Sequence, residues 1–241
     1  MSIIAVIPAR YQSTRFPGKP LAIIEGKSMI QRVYEQAIKV KALDKVVVAT
    51  DDDRIFEHCN SLNINVVMTS VDHNNGTERI TEVVKKEKQS FDYVLNIQGD
   101  EPFVHIEQIA NLCEIISSNK YDIATLAKEI SDEAEINSPN TVKLVISNGG
   151  KALYFSRYGI PYERNAGHRL MYKHIGMYAF KYNVLLELES LKPSILEQSE
   201  SLEQLRWLEN DYTIGVAKTD FESFGIDTPE DINSALKKIK R

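Results

Sequence analysis

The apolar positions of the chain follow two alternating patterns. Short continuous runs rich in β-branched residues lie at 3–9, 45–50, 65–70 and 92–98. Such runs are typical of strands that are buried on both faces of a parallel sheet. Longer stretches between them repeat apolar residues every three or four positions, which predicts amphipathic helices at 29–38, 53–62, 78–88 and 106–119. This alternation over roughly the first 120 residues predicts a doubly wound α/β sheet.

The second half has a different pattern. Strand-like runs lie at 123–130, 141–147, 151–157, 172–180 and 212–218, and helical spacing recurs at 201–210. The Asn-Gly-Gly sequence at 148–150 predicts a hairpin turn. Ser28 and Gln31 have capping-box spacing, and Thr228 before Pro229 predicts the start of a last helix. We expect one domain, 1–241, whose second half is mixed α+β and extends the first sheet with a hairpin layer.

Composition narrows the choice of partners. The chain has 241 residues, of which 43% are apolar, and its 29 basic and 34 acidic residues give a net charge of -5. That balance argues against nucleic acid or an anionic membrane as partner. No run approaches the roughly 18 apolar residues that span a bilayer, and no signal-peptide pattern precedes the first strand. We therefore expect a cytoplasmic protein, in which Cys59 and Cys113 are buried thiols.

Positive charge is concentrated in a loop after the first strand. The segment IPARYQSTRFPGKPL, residues 7–21, contains Arg10, Arg15 and Lys19, and its prolines exclude a regular helix. It fits neither a P-loop nor the G-x-G-x-x-G fingerprint, which argues against an ordinary ATPase and a Rossmann dehydrogenase. Guanidinium and ammonium groups suit a triphosphate. A solvated basic loop without a ligand is the alternative.

Polar residues also follow other predicted strands, where ligands of open α/β sheets bind. Thr50 and Asp51 follow the second strand, and Gln98 and Asp100 follow the fourth. A carboxylate at position 100 could hold Mg²⁺ against phosphate oxygens. Asp227 precedes the last helix and, taken alone, fits a capping or turn role better than a metal site.

Two further features leave structural and functional interpretations open. The GTER sequence offers Gly76, Thr77 and Arg79 as an anion or ribose contact at a helix start, and an ordinary capped helix fits equally. The two-residue period of a strand predicts that His174 and Tyr178 share a face, with a structural histidine as the alternative. The five histidines lack zinc-site spacing.

Eight segments, in order from residue 3 to about 236, resemble the 3-deoxy-manno-octulosonate (Kdo) cytidylyltransferases, also called CMP-Kdo synthetases. The segments are IPARYQSTRFPGKPL, VATD, GTERI, NIQGDEP, ALYFSR, HIGMYAF, LEQLRWLENDYTIGV and GIDTPEDI. The resemblance implies a Rossmann-like nucleotide-diphospho-sugar transferase (GT-A-like) fold. This is a three-layer α/β sandwich with a mostly parallel twisted sheet and a β-hairpin extension. A nucleotide-binding half would span about 1–120, and a sugar-binding and dimerisation half about 121–241.

The resemblance also implies an activity. The family transfers CMP from CTP to Kdo, gives CMP-Kdo and pyrophosphate, depends on Mg²⁺ and activates the sugar for lipopolysaccharide biosynthesis. A homodimer is implied, for which Tyr154, Phe155, Tyr158 and Tyr162 would supply an aromatic surface unless they pack in the core. Alternatives are a cytidylyltransferase for 8-amino-Kdo or another ketosugar acid such as a sialic acid, and a non-catalytic nucleotide-binding regulator.

The family pattern assigns roles by position. Asp100 and Asp227 would be the metal carboxylates, and they would be catalytic together with Lys19. The implied nucleotide-binding residues are Ala9, Arg10, Arg15, Lys19, Thr50, Asp51, Gly76, Thr77, Arg79 and Gln98. The implied sugar-binding residues are Arg157, His174, Tyr178, Glu203 and Gln204. Among these, Arg157 would bind the sugar carboxylate and Glu203 would accept from sugar hydroxyls.

Overall fold

The computed structural model describes residues 1–73, 75–165 and 167–239. Its contacts divide the chain into two compact units, one of residues 1–110 with the segment from Ser223 onward and one of residues 111–222. The strands are β1 (Ile3–Ala9), β2 (Ile23–Ile24), β3 (Lys27–Ser28), β4 (Lys45–Thr50), β5 (Val66–Met68), β6 (Tyr93–Asn96), β7 (Ile123–Ile130), β8 (Lys143–Ile146), β9 (Ala152–Ser156), β10 (Met171–Lys181) and β11 (Ile214–Lys218).

The helices connect these strands. They are α1 (Met29–Ala37), α2 (Asp53–Ser61), α3 (Gly76–Lys86), α4 (Ile106–Ser117), α5 (Glu133–Asn137), α6 (Tyr182–Leu188), α7 (Ile195–Glu200), α8 (Glu203–Glu209) and α9 (Pro229–Ile239). A single 3-10 turn at Lys19–Leu21 lies in the loop after β1. Among the described residues, no helix combines the length and the apolar character needed to cross a membrane.

The first unit is built on four parallel strands in the order β6-β1-β4-β5. Strand β1 lies in the middle, so Val6 pairs with Val47 on one side and with Asn96 on the other. Its apolar residues are fully enclosed, as the continuous apolar run predicts. Because the strands are parallel, the loops after β1 and β6 leave the sheet at the same edge.

Side-chain caps set the helix starts of this unit. Ser28 accepts from the Gln31 amide, Asp52 from the Arg54 amide and Asn75 from the Glu78 amide. The capping box expected at Ser28 is wrong in its second half, because the Gln31 side chain donates to Glu35 at 2.9 Å. Helix α3 begins two residues before the predicted start because Asn75 caps it there.

The C-terminal segment packs on the first unit. Ile226 donates its amide to the Asp100 carbonyl at 2.9 Å. The side chains of Ile24, Met29 and Ile226 share one apolar cluster. The Asp231 carboxylate accepts from the amides of Asp227 and Thr228 at 2.9 and 2.8 Å, which fixes the turn into α9. This turn presents the Asp227 side chain to the loop after β1.

The second unit combines parallel and antiparallel pairing. Strand β11 runs parallel to β7, whereas β10 is antiparallel to both β7 and β8. The predicted hairpin is confirmed between β8 and β9, where Ser147 donates to the Lys151 carbonyl at 2.8 Å. Gly150 completes the turn at φ 82, a conformation that favours glycine. The α/β architecture with a hairpin extension agrees with the predicted fold class.

The predicted two-residue period through β10 is wrong. Ile175 pairs with Leu126 and Tyr178 pairs with Thr125, so the register shifts between these positions. Such a bulge places extra residues on one strand and re-aims the side chains around it. The rings of His174 and Tyr178 nevertheless meet, with centroids 5.2 Å apart.

We expect neither cysteine to react with DTNB in the folded protein at about pH 8. Burial raises the pKa of Cys59 to about 11 and that of Cys113 to about 12, so the reactive thiolate is scarce and enclosed. Release of thionitrobenzoate should appear only after guanidinium chloride is added. Rapid release from the native protein would contradict the burial of both side chains.

Candidate active site

A pocket of about 420 Å³ opens in the first unit beside the ends of β1 and β6. Three segments line it: the loop after β1, the start of α3 and the loop after β6. The lining residues are Pro8, Ala9, Arg10, Gln12, Ser13, Thr14, Lys19, Pro20, Asn75, Gly76, Gln98, Gly99 and Asp100. The pocket thus gathers residues from the basic loop together with Asp100, one of the two predicted metal carboxylates.

The basic loop is closed by its own backbone. Gly18 donates its amide to the Tyr11 carbonyl at 2.8 Å, and Lys19 donates its amide to the Phe16 carbonyl at 3.1 Å. Gly18 has φ 72, and a Cβ there would lie 3.0 Å from the Tyr11 ring. A larger residue at this position would therefore meet both backbone strain and a clash. The closed loop sends the side chain of Lys19 toward the carboxylates.

Asp100 and Asp227 converge on the Lys19 ammonium. Its Nζ lies 2.7 Å from Asp100 Oδ2 and 3.3 Å from Asp227 Oδ1. Arg15 Nη2 lies 2.8 Å from the other oxygen of Asp227. The Asp227 carboxylate therefore faces these cations, while Asp231 serves the turn into α9. The Asp227 amide belongs to the turn that Asp231 holds, whereas the Asp227 carboxylate contacts the cations.

Two carboxylates directed at one cation also fit a hard divalent ion. Within the described residues, no group of three or more His, Cys, Asp or Glu forms a metal site. Mg²⁺ commonly takes one or two carboxylates and completes its octahedron with water and substrate phosphate oxygens. The donor set of Asp100 and Asp227 suits that mode of binding.

Glu101 follows the fourth predicted strand together with Gln98 and Asp100, but the sequence predicted no role for it. Its side chain is buried, and its Oε2 has no hydrogen-bond partner among the described residues. Burial raises the pKa of Glu101 to about 7, the Asp100 charge adds to this, and a hydrogen bond from Ser223 opposes it. Its sequence signal was its place in QGDEP, but burial cannot be read from that motif.

Several predicted nucleotide residues form a buried network. Arg79 is fully buried and pairs with Asp51 at 2.6 Å. Arg10 donates to the His73 carbonyl, and burial followed by the nearby Arg79 charge lowers the pKa of Arg10. The pocket lining does not include Thr50, Asp51, Thr77, Arg79 or Arg15. The binding roles of these residues stay predictions.

Comparisons with known proteins agree along the whole chain. A family model described as cytidylyltransferase matches residues 4–218. The 3-deoxy-manno-octulosonate cytidylyltransferase of Cytophaga hutchinsonii is 48% identical, over 96% of this chain and 95% of that protein. The protein of the same name from Parabacteroides distasonis is 49% identical, over 98% of this chain and 97% of that protein.

A solved structure is similar as well. It is a CMP:2-keto-3-deoxy-manno-octonic acid synthetase in complex with CTP, 40% identical, with a TM-score of 0.94 and full coverage of both chains. The chain belongs to the 3-deoxy-manno-octulosonate cytidylyltransferase family. The resemblance inferred from eight segments is confirmed, and so are the predicted fold class and the class of nucleotidyltransferase.

The predicted sugar residues of this family member lie in its second unit. The Arg157 guanidinium donates to the carbonyls of Glu200 at 2.6 Å, Pro139 at 2.9 Å and Ser201 at 3.2 Å. These bonds occupy three of its five N–H donors. A sugar carboxylate would have to use the other two. The assignment of Arg157 to that carboxylate stays a prediction.

His174 and Tyr178 belong to an aromatic cluster. Thr125 Oγ1 lies 2.9 Å from His174 Nε2, and the rings of Tyr178 and Trp207 meet edge to face at 4.9 Å. Burial lowers the pKa of His174 to about 3, so this imidazole is neutral near pH 7. The Tyr178 hydroxyl and the Trp207 Nε1 are buried without a hydrogen-bond partner among the described residues. Buried polar atoms without a partner are uncommon in folded proteins.

Glu203 and Gln204 lie in the first turn of α8. Glu203 Oε1 accepts from Arg206 at 3.3 Å, and Gln204 is buried. The predicted site residues did not include the four polar lining residues Gln12, Ser13, Thr14 and Asn75. The available signal for the first three was their place in the basic loop, and for Asn75 its capping position before GTER.

We expect the free energy of unfolding of Glu101→Gln, compared with that of the native protein, to be higher at pH 8 than at pH 5. The pKa of Glu101 is about 7 in the folded state against 4.5 for the free group, so folding favours the protonated acid. Its contribution is full below about pH 4.5 and is lost as the pH rises to about 7. The free energy of unfolding of the variant, relative to that of the native protein, should therefore rise by roughly 3 kcal/mol over that pH interval.

Urea unfolding at the two pH values, with EDTA present, measures this difference. Ile80 is a fully buried apolar residue without an ionisable group. Its replacement by Val therefore provides a control whose effect on stability should not depend on pH. An equal effect of Glu101→Gln at both pH values would refute the raised pKa.

Proposed function

We propose that the protein transfers CMP from CTP to Kdo and releases pyrophosphate. The observation that carries this proposal is the convergence of Asp100 and Asp227 on Lys19 beside a pocket lined by the basic loop. A relative that is 40% identical over its full length was solved in complex with CTP. In the reaction, the anomeric hydroxyl oxygen of Kdo bonds to the α-phosphorus of CTP as the bond to pyrophosphate breaks.

The chain's own groups position and neutralise the triphosphate. Arg10 and Lys19 line the pocket, and Arg15 lies against Asp227 beside it. We assign these cations to the phosphate oxygens and the backbone of Ala9 and Arg10 to cytosine. Gly76 and Gln98 line the same pocket and would contact the nucleotide. Phosphoryl transfer needs in-line placement and stabilisation of negative charge more than covalent help, and this set of groups supplies both.

The buried network around Arg79 holds the segments that carry these pocket residues. Arg79 is tied to Asp51 and to Thr69, and Thr50 accepts from the amide of Thr69 at 2.8 Å. We therefore assign Thr50, Asp51 and Arg79 to holding the strand ends near Arg10. Thr77 is buried in the first turn of α3 and belongs with them.

Magnesium belongs to the proposal as a cofactor held by Asp100 and Asp227. When bound, the ion would neutralise phosphate charge and lower the pKa of the attacking hydroxyl. Lys19 contacts both carboxylates and Arg15 contacts Asp227, so both cations lie where they can also pair with phosphate oxygens. Lys19 and the two carboxylates are therefore the groups that we regard as catalytic.

The acceptor side of the proposal rests on the second unit. We assign His174, Tyr178, Glu203 and Gln204 to the sugar hydroxyls, supported by the buried unpaired hydroxyl of Tyr178. Arg157 is assigned to the carboxylate through its two remaining N–H donors. Kdo is preferred to 8-amino-Kdo because both named relatives are called 3-deoxy-manno-octulosonate cytidylyltransferases. We further propose a role in lipopolysaccharide biosynthesis and a cytoplasmic location, where CTP is available.

We also propose that the protein is a homodimer. Large apolar side chains are exposed in the second unit, with Tyr158 83% and Tyr162 87% exposed. Leu153, Leu170 and Ile195 in the same unit are at least half exposed. Exposed aromatic and aliphatic residues of this kind are enriched at interfaces. The expectation for Phe155 is wrong, because that side chain is fully buried in the core.

We expect Tyr158→Asp combined with Tyr162→Asp to convert the dimer to a monomer, since charges at an apolar interface lose their hydration. Sedimentation velocity measures the change. Ile38→Asp, at a position 53% exposed in the first unit, is the matched control and should stay dimeric. A monomeric native protein would end this part of the proposal.

The activity is tested by pyrophosphate release with each nucleoside triphosphate and Kdo, with and without Mg²⁺. We expect CTP, Kdo and Mg²⁺ all to be required. Asp100→Asn should lower turnover by about 10²–10³-fold, because the charge that the carboxylate supplies is lost from the reacting centre. Binding of Mn²⁺, followed by electron paramagnetic resonance, should be lost in parallel.

The exposed Asp220 offers a control, since Asp220→Asn removes a carboxylate outside the pocket lining. It should leave turnover and Mn²⁺ binding unchanged. Full activity of Asp100→Asn would refute the assignment of Asp100 as a metal ligand. Turnover with 8-amino-Kdo or a sialic acid but none with Kdo would replace Kdo as the proposed acceptor. Binding of CTP without turnover of any acceptor would favour the alternative of a nucleotide-binding regulator.

A further inference from the structure

Arg54 contacts the basic loop although it does not line the pocket. Its side chain is 57% exposed, and its guanidinium carbon lies 3.2 Å from the centroid of the Tyr11 ring. This is a stacked cation–π contact between the first turn of α2 and the loop after β1. Neither residue has a part in the nucleotide contacts proposed above.

Asp52 fixes the plane of this guanidinium. Arg54 Nε donates to Asp52 Oδ1 at 2.9 Å, and Arg54 Nη2 donates to Asp52 Oδ2 at 2.7 Å. The same Oδ1 also caps α2 by accepting from the Arg54 amide at 3.0 Å. A bidentate pair holds both position and orientation. Arg54 is therefore a flat platform anchored to a helix start.

Tyr11 connects Arg54 with Gly18, the residue before the lysine proposed to be catalytic. Its carbonyl accepts from the Gly18 amide at 2.8 Å, and its ring lies 3.0 Å from where a Cβ of Gly18 would be. Gly18 directly precedes Lys19. A continuous series of contacts thus runs from Asp52 through Arg54, Tyr11 and Gly18 to the catalytic lysine.

The loop between Tyr11 and Gly18 has open space on two sides. Gln12, Ser13 and Thr14 line the nucleotide pocket. The same residues line a second hollow of about 510 Å³, together with Tyr11, Pro17 and Arg54. Residues 12–14 therefore have few packing partners, and their position depends on the residues that flank them: Tyr11 on one side and, on the other, Phe16, which packs against the apolar cluster of Ile24 and Met29.

We propose that Arg54 and Tyr11 are positioning residues for the triphosphate. Their stack holds Gly18, and through it sets where Lys19 and Arg15 meet the β- and γ-phosphates. The inference rests on the proposed use of CTP. It predicts a defect that depends on the number of phosphates, because CMP lacks the groups that these cations meet.

The stack is tested first without nucleotide, by amide hydrogen exchange in the free protein. Arg54→Met should speed exchange at Gly18 about two- to fivefold, the range expected for loss of an exposed cation–π contact. Lys39→Met, which removes another exposed cation of the first unit, should leave exchange unchanged. Unchanged exchange at Gly18 in Arg54→Met would overturn the proposal.

Nucleotide binding is then measured by calorimetry with Mg²⁺. Arg54→Met and Tyr11→Leu should each weaken CTP binding about two- to fivefold, with CMP binding unchanged from the native protein. The KM for CTP should rise while the KM for Kdo stays constant. Tyr11→Phe keeps the ring and should behave as the native protein, and the double variant should be no worse than either single variant.

Equal losses for CTP and CMP, or additive effects of the two substitutions, would assign Arg54 a merely structural role and overturn the proposal. Failure of the native protein to bind CTP would refute the proposed function instead. The exchange experiment would still decide whether the stack orders the loop.

Discussion

The attraction between the Lys19 ammonium and the carboxylates of Asp100 and Asp227 is the interaction on which the site depends. The three residues lie far apart in the sequence, yet Nζ reaches both carboxylates within 3.3 Å. Two carboxylates that share a small volume repel each other, so a cation between them is an electrostatic requirement. The same requirement makes the position receptive to a divalent ion. The fold must therefore deliver three separate segments to one point, and much of the first unit can be understood from that task.

Parallel pairing delivers two of these segments. Strands β1 and β6 are neighbours, so the basic loop and the QGDEP loop leave the sheet together. The third segment returns at the C-terminal end of the chain, where the Ile226 amide bonds the Asp100 carbonyl and the apolar cluster around Met29 fixes α9. The backbone bond places residue 227 beside residue 100 before any side chain is considered. The contacts of Lys19 with Asp100 and Asp227 are consequently anchored by ordinary sheet pairing and apolar packing.

The sequence predicted what depends on local pattern. Strands β1 and β4 match their apolar runs, because continuous burial leaves an unmistakable signature. The bulge in β10 and the Gln31–Glu35 bond were missed. In both places a residue has more than one possible partner, and residue spacing alone does not show which partner it takes. Asp100, Lys19 and Arg10, which the sequence indicated by their position after strands, line one pocket. Burial of Arg79 and Glu101, and the carbonyl contacts of Arg157, depend on tertiary neighbours and could not be read from the chain.

Trp207 is the single tryptophan of the chain, and its ring meets Tyr178 at 4.9 Å and Phe180 at 5.4 Å. Indole emission responds to the polarity and hydrogen bonding of its surroundings, and this indole N–H is buried among aromatic rings. The protein thus carries one tryptophan, located beside the residues assigned to the acceptor sugar. Changes in its emission would report on that region alone, free of background from other tryptophans, so occupancy of the acceptor side can be followed optically without a label.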